Sequence, residues 1–166
     1  MTSNLKIYFE GNPVDKLKLD AQELSKAQEY AGKNSARKLQ TLGRANLVKE
    51  ARIRKASATR RVRAFSNKIW FGTRPVVLTA PRLKFVRPKR GARGLIVDNN
   101  LVKYGFARTT GRYKGIPFQR VGNRLIVLKA DISQEAKTAW EETWEEADSV
   151  AGEEMEKAAG RIVRAR

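Results

Sequence analysis

The chain has no cysteine and no histidine. Without cysteine there are no disulfides, no thiolate nucleophiles and none of the usual structural zinc sites. Without histidine the commonest general base at neutral pH and the commonest metal ligand are both missing. No apolar run approaches the roughly 20 residues needed to span a bilayer. The opening MTSNLKIYFEG has no apolar core of signal-peptide length, so the expected setting is the cytoplasm, or something assembled there. The sequence has no phosphate-cradling loop, no nucleophile elbow and no cluster with metal-ligand spacing. A protein that is not an enzyme is expected, with no catalytic, cofactor or metal residues.

Acid is scarce where base is dense. Residues 31–130 hold 26 Lys/Arg against only Glu50 and Asp98, whereas residues 131–166 hold five Lys/Arg and ten Asp/Glu. The first 30 residues are nearly balanced, with four basic and five acidic side chains. The net charge of +18 over 166 residues is thus segregated along the chain. Such segregation suggests partners of both signs: nucleic acid or acidic protein for the middle, a basic neighbour for the end.

The length suits one domain with a single core. Residues 1–58 read as an N-terminal strand and a basic helical region. Leu5, Ile7 and Phe9 alternate with polar neighbours, as in a strand, and Gly11-Asn12-Pro13 ends it. Asp20 can cap a helix over 21–42, where Leu24, Ala27, Ala31, Ser35, Leu39 and Leu42 fall on one face and Gly43 is a natural stop. Residues 44–57 are basic and suit a second short helix.

Residues 59–130 read as a sheet. β-Branched and aromatic residues predict strands near 59–65, 67–72, 75–79, 94–98, 101–107, 116–121 and 124–130. Asp98-Asn99-Asn100 and Gly122-Asn123 are tight-turn signals. Val76, Leu78, Ile96, Phe106, Phe118 and Val127 are the expected core of that sheet. Between the strands lies a basic stretch at 79–93, expected as an extended loop or hairpin arm, with Pro81, Pro88 and Gly91 and no acid.

Residues 131–166 predict a long helix of about 30 residues, about 45 Å at 1.5 Å per residue. Asp131 or Ser133 can cap it. Ala136, Trp140, Trp144, Ala147, Ala151, Met155, Ala158 and Ile162 make an apolar stripe, with the glutamates on other faces. Trp140, Trp144, Met155 and Ile162 are the residues expected to pack this helix on the sheet or on another subunit. The expected class is α+β: a central, mostly antiparallel sheet packed by the N-terminal and the long C-terminal helix, with the basic loop extended from it.

Two groups of cations are candidate contacts for DNA or for an acidic partner. One is Arg52, Arg54, Lys55, Arg60 and Arg61; the other is Arg82, Lys84, Arg87, Lys89, Arg90 and Arg93. Phosphate contacts of this kind are independent of sequence and sensitive to salt. The plain alternative is that they solubilise the chain and pair with acidic protein. Likewise, Glu141-Glu142 and Glu145-Glu146 could serve as acid and base or hold a cation, although glutamates at this spacing commonly form a solvated face. Trp70, Phe71, Tyr104, Phe106 and Phe118 could stack on bases, but their period-two placement points to core packing.

The order IWFGTRPVVL (69–78), basic insertion, GLIVDNNLVKYGFA (94–107), IPFQRVGNRLIVLKADI (116–132) and a long terminal helix resembles the minor tail protein Z family of long-tailed bacteriophages. The resemblance is closer after residue 59 than before it. The family usually has a proline after the turn that RVGNRLIVL lacks. The resemblance implies a structural virion protein at the head-proximal end of the tail, in the neck, assembled in the host cytoplasm. It implies a homohexameric ring that completes the tail, helps join it to the head and lets DNA pass. The implied partners are tail-tube, tail-terminator and head-tail connector proteins, with contact to phage DNA and none to a membrane. The alternative from charge alone is a basic nucleic-acid-binding protein of ribosomal or nucleoid type.

Overall fold

A computed structural model describes residues 3–6, 19–78, 83–85, 94–97, 100–108 and 110–165. The elements run β1 (Ser3–Lys6), α1 (Ala21–Ala51), α2 (Lys55–Arg61), β2 (Val62–Phe65), β3 (Lys68–Phe71), β4 (Val76–Val77) and β5 (Leu83–Phe85). They continue with β6 (Gly94–Val97), β7 (Asn100–Lys103), β8 (Gly105–Ala107), β9 (Pro117–Val121), β10 (Arg124–Val127), β11 (Lys129–Ala130), α3 (Ser133–Glu145) and α4 (Ala147–Arg164). The class is α+β, and every named strand pair is antiparallel.

Helix α1 begins where the sequence predicts. Asp20 accepts from the Glu23 backbone N–H, and the Glu23 carboxylate accepts in return from the Asp20 N–H, a reciprocal cap. It runs to Ala51 rather than stopping at Gly43. That glycine is buried inside the helix, against the ring edge of Phe71. The helix ends at Arg52, which takes left-handed backbone angles (φ 47°).

The C-terminal segment lies antiparallel along α1. Met155, Ala158 and Ala159 pack on Ala27 and Ala31 near the start of α1. Thr143 meets Asn46 near its end, the Asn46 Nδ2 donating to Thr143 Oγ1 at 3.2 Å. Small residues let the two backbones come close together. The segment is two helices, broken at Glu146, and not one. Asp131 accepts from the Ser133 N–H and hydroxyl at the start of α3. The buried face of α3 is Ala136, Ala139 and Thr143. The stripe through Trp140 and Trp144 is therefore rotated: Trp140 is half-buried on the core, and Trp144 is half in solvent.

The strands do not form one central sheet. Among the described residues they form four small sheets, ordered β1-β3-β2, β10-β9-β8, β11-β4 and β5-β6-β7. Short strands and frequent turns divide them. Ser66 takes positive φ in the β2–β3 turn, Gly122 does so between β9 and β10, and Tyr104 (φ 58°) splits 101–107 into two strands. Ile69 and Phe71 alternate inward on β3 and meet Leu39, Leu47, Val62, Val76 and Ile132. The main core thus sits between the helix pair and β2–β3–β4. Val76, Leu78 and Phe118 are buried as expected, while Ile96, Phe106 and Val127 are only partly covered.

One glutamate off the apolar stripe is nevertheless buried. Glu154 is 6% exposed, between α1 and α4. Its carboxylate lies 2.7 Å from Lys38 Nζ and 3.3 Å from Lys157 Nζ. The Lys38 hydrogen bond lowers its pKa from the ordinary glutamate range, against the opposing effect of burial. A carboxylate whose pKa falls on folding adds stability above its unfolded pKa and loses it as pH drops through the lower folded value. Glu154→Gln is expected to cost about 1 kcal/mol at pH 7, because Lys38 remains 44% exposed and is not stranded. At pH 3 the difference from the parent should shrink. An equal difference at both pH values in urea titrations would rule out the ion pair as its cause.

Candidate polyanion groove and acidic helix face

Helix α2 has only seven residues, and its single buried side chain, Ala58, pins one face to the core. The other faces carry Lys55 and Arg60 outward. Arg61 turns back instead. Its Nε donates to the Arg74 carbonyl (3.2 Å), one terminal nitrogen to the Ser57 carbonyl (3.1 Å) and the other to that of Pro75 (3.0 Å). Burial, then the charge of Arg60, lowers its pKa. Arg61 therefore ties α2 to the β3–β4 connection and is not a free contact residue.

Two distant segments close the other side. Lys129 pairs with Val77 across β11 and β4, and the Leu78 N–H donates to the Leu128 carbonyl at 3.2 Å. Residues 110–116 form a turn in which Gly111 (φ 77°) and Gly115 (φ 75°) take conformations that favour glycine. The Gly115 N–H donates to the Arg108 carbonyl at 2.8 Å, and the Lys114 N–H to that of Gly111 at 3.0 Å. These bonds place Lys114 beside α2.

The result is a groove of about 520 Å³ lined by Arg54, Arg60, Arg61, Lys114 and Lys129. Pro75, Val77, Leu78 and Ile116 give it apolar walls, and among the described residues no carboxylate lines it. Of the cations singled out near α2, the fold brings Arg54, Arg60 and Arg61 into this groove and leaves Arg52 and Lys55 outside its lining. Lys114 and Lys129 were not legible as members: each stands alone in a turn or a strand, and only the pairing of β11 with β4 and the glycine turn gather them. Of the second group, Lys84 lies in β5 opposite Ile96. Arg82, Arg87, Lys89, Arg90 and Arg93 lie outside the described residues.

The acidic surface is on α3 and α4. Trp144 is 50% exposed and stacks on Trp140, with ring centres 5.5 Å apart. Glu141, three residues before it on α3, shares its face, and Asp148 lies in the first turn of α4 just past the break at Glu146. Both are exposed. Glu142 is engaged differently, 3.0 Å from Lys49 of α1, where it helps join the helices. Met155 is fully buried and Ile162 partly so, both on the α1 side. Of the aromatics considered for base stacking, Phe71 and Phe118 are buried, Trp70 and Phe106 are half-covered, and Tyr104 is 70% exposed.

No family model, no curated protein and no solved structure matches this chain. The functional reading therefore rests on the residues and on this geometry.

Proposed function

We propose that the protein is a structural virion subunit of a tailed phage, of the minor tail protein Z type. In this reading it forms a homohexameric ring at the head-proximal end of the tail, completes the tail, helps join it to the head and lets DNA pass. Its neighbours would be tail-tube, tail-terminator and head-tail connector proteins. One observation carries the proposal: an acidic surface around a half-exposed Trp144 stands on a chain of net charge +18, so the basic surface of a neighbouring copy can meet it outside the α2 groove. Surfaces that complement each other on one chain suit the heterologous contacts from which rings close. Trp is a frequent interface anchor, and Trp144 is not among the buried residues that hold α3 to the core. A basic nucleic-acid-binding protein is the second reading, favoured by the groove alone.

Native mass spectrometry at moderate salt tests both. A discrete ring is expected; a monomer that retains RNA would support the second reading. Trp144→Ala should melt within a few degrees of the parent yet weaken subunit association 30-fold or more, a loss of about 2 kcal/mol or more at a hot spot. Assembly unchanged by this substitution would remove Trp144 from the interface.

A further inference from the structure

Cations from three separate stretches of chain face one groove that has no carboxylate in its lining among the described residues: Arg54 and Arg60, Lys114, and Lys129, above a wall made by Arg61. Like charges gathered in this way repel one another, and more strongly beside apolar walls such as Val77 and Ile116. An anion of matching density relieves that repulsion. We infer that this groove binds the phosphodiester backbone of one nucleic-acid strand, single or as part of a duplex.

Charge density favours a backbone over the acidic face of a second copy, where a large apolar ring, Trp144, stands between the exposed carboxylates Glu141 and Asp148. A nucleic-acid strand instead presents one charge per 3.4 Å or so of its axis, so several phosphates can follow one another past the four cations. Arg61, whose guanidinium is bonded to three carbonyls, contributes field and rigidity while the other four make contacts. No base-reading group is required, so binding is independent of sequence. The inference does not rest on the tail reading, since a monomer could bind in the same way.

The test must separate this groove from the general effect of a +18 chain. Two variants of the full chain each remove four positive charges. One is Arg54→Gln, Arg60→Gln, Lys114→Gln and Lys129→Gln. The other takes exposed cations elsewhere: Lys26→Gln, Arg37→Gln, Lys68→Gln and Arg161→Gln. Binding to a labelled 20-nucleotide single strand and to its duplex is followed by fluorescence anisotropy from 50 to 200 mM salt. The groove variant is expected to lose at least about tenfold in affinity at 100 mM salt. Its plot of log K against log salt should be shallower by about three, from four contacts at 0.7–0.9 each. The control should stay within about threefold of the parent. If the groove variant melts lower than the parent, Arg60→Gln with Lys114→Gln should still give about half the change in slope. Equal losses in the two four-fold variants would overturn the inference. So would polyglutamate displacing the strand as well as unlabelled DNA at matched charge, because the groove would then take acidic protein.

Discussion

Replacing Gly43 by leucine should lower the melting temperature by on the order of 10 °C. Glycine in a helix interior costs about 1 kcal/mol relative to alanine, so propensity alone recommends a change at this position. The packing forbids it. A Cβ on Gly43 would overlap the Phe71 ring at Cζ and lie 3.2 and 3.3 Å from Cε2 and Cε1. Phe71 is 2% exposed and held in the main core, so its ring has no free space to enter. Overpacking of this kind costs about 1–3 kcal/mol for small additions and more for a branched side chain. Gly43→Ala is therefore expected to be destabilising in spite of its better propensity. In an α1 whose opposing residue is shortened by Phe71→Leu, the same change should turn neutral or stabilising, a coupling that a double-mutant cycle reads directly. Gly152, exposed in α4 with open space where a Cβ would stand, is the contrast. Gly152→Ala should raise stability by about 1 kcal/mol, or 2–4 °C for a chain of this size. If Gly43→Ala and Gly152→Ala shifted the melting temperature alike, the close approach of Phe71 would not be what sets Gly43.

Leu39→Ala should cost 2–5 kcal/mol, a large share of the 5–15 kcal/mol by which a domain is usually stable. Leu39 is fully buried and belongs to the cluster that joins α1 to β2–β3 and to α3. Its truncation removes methyl groups from a site whose surroundings are fixed by two helices and a strand pair, so the cavity cannot easily close. Leu42→Ala should cost clearly less, since Leu42 is only partly buried at the edge of the same cluster. Urea unfolding should show a lower midpoint for Leu39→Ala with an unchanged slope. Equal costs at the two positions, or less than 1 kcal/mol at Leu39, would place the core elsewhere.

The two leucines show how far pattern reading goes. Both stand on the apolar stripe of α1 and have equal weight by spacing; depth of burial depends on what lies opposite. The same holds in the C-terminal helices. Steps of three and four allow a stripe through Trp140 and Trp144, but also one through Ala136, Ala139 and Thr143. Helix packing selected the second, because small side chains allow α1 close enough for Asn46 to reach Thr143. Large aromatics then fall to the rim, where Trp144 is available to a partner. Nothing local sets Glu154 apart from the other glutamates of the helix; its burial follows from Lys38, 116 residues earlier in the chain.

For the groove, the arginines of residues 52–61 were visible as a basic run, yet the run does not tell which of them face one site. Helix α2 decides that by burying Ala58, which turns Arg54 and Arg60 toward the groove and binds Arg61 to carbonyls. The opposite wall depends on contacts between residues far apart in the chain, which leave no local trace.

What the sequence by itself determined is what local chemistry controls. The capped start of α1 at Asp20, the turn at Gly122-Asn123, the β-branched strand segments and the separation of charge are all set by neighbouring residues. So is the α+β class, which follows from the change of period between those segments. The tertiary structure alone decided which face of each helix is inside, why Gly43 sits within a helix and does not end one, how the strands divide into four small sheets, and which cations share a groove. These depend on side-chain volume and charge meeting across the fold, and such meetings are properties of pairs of residues distant in the chain, not of any segment read alone.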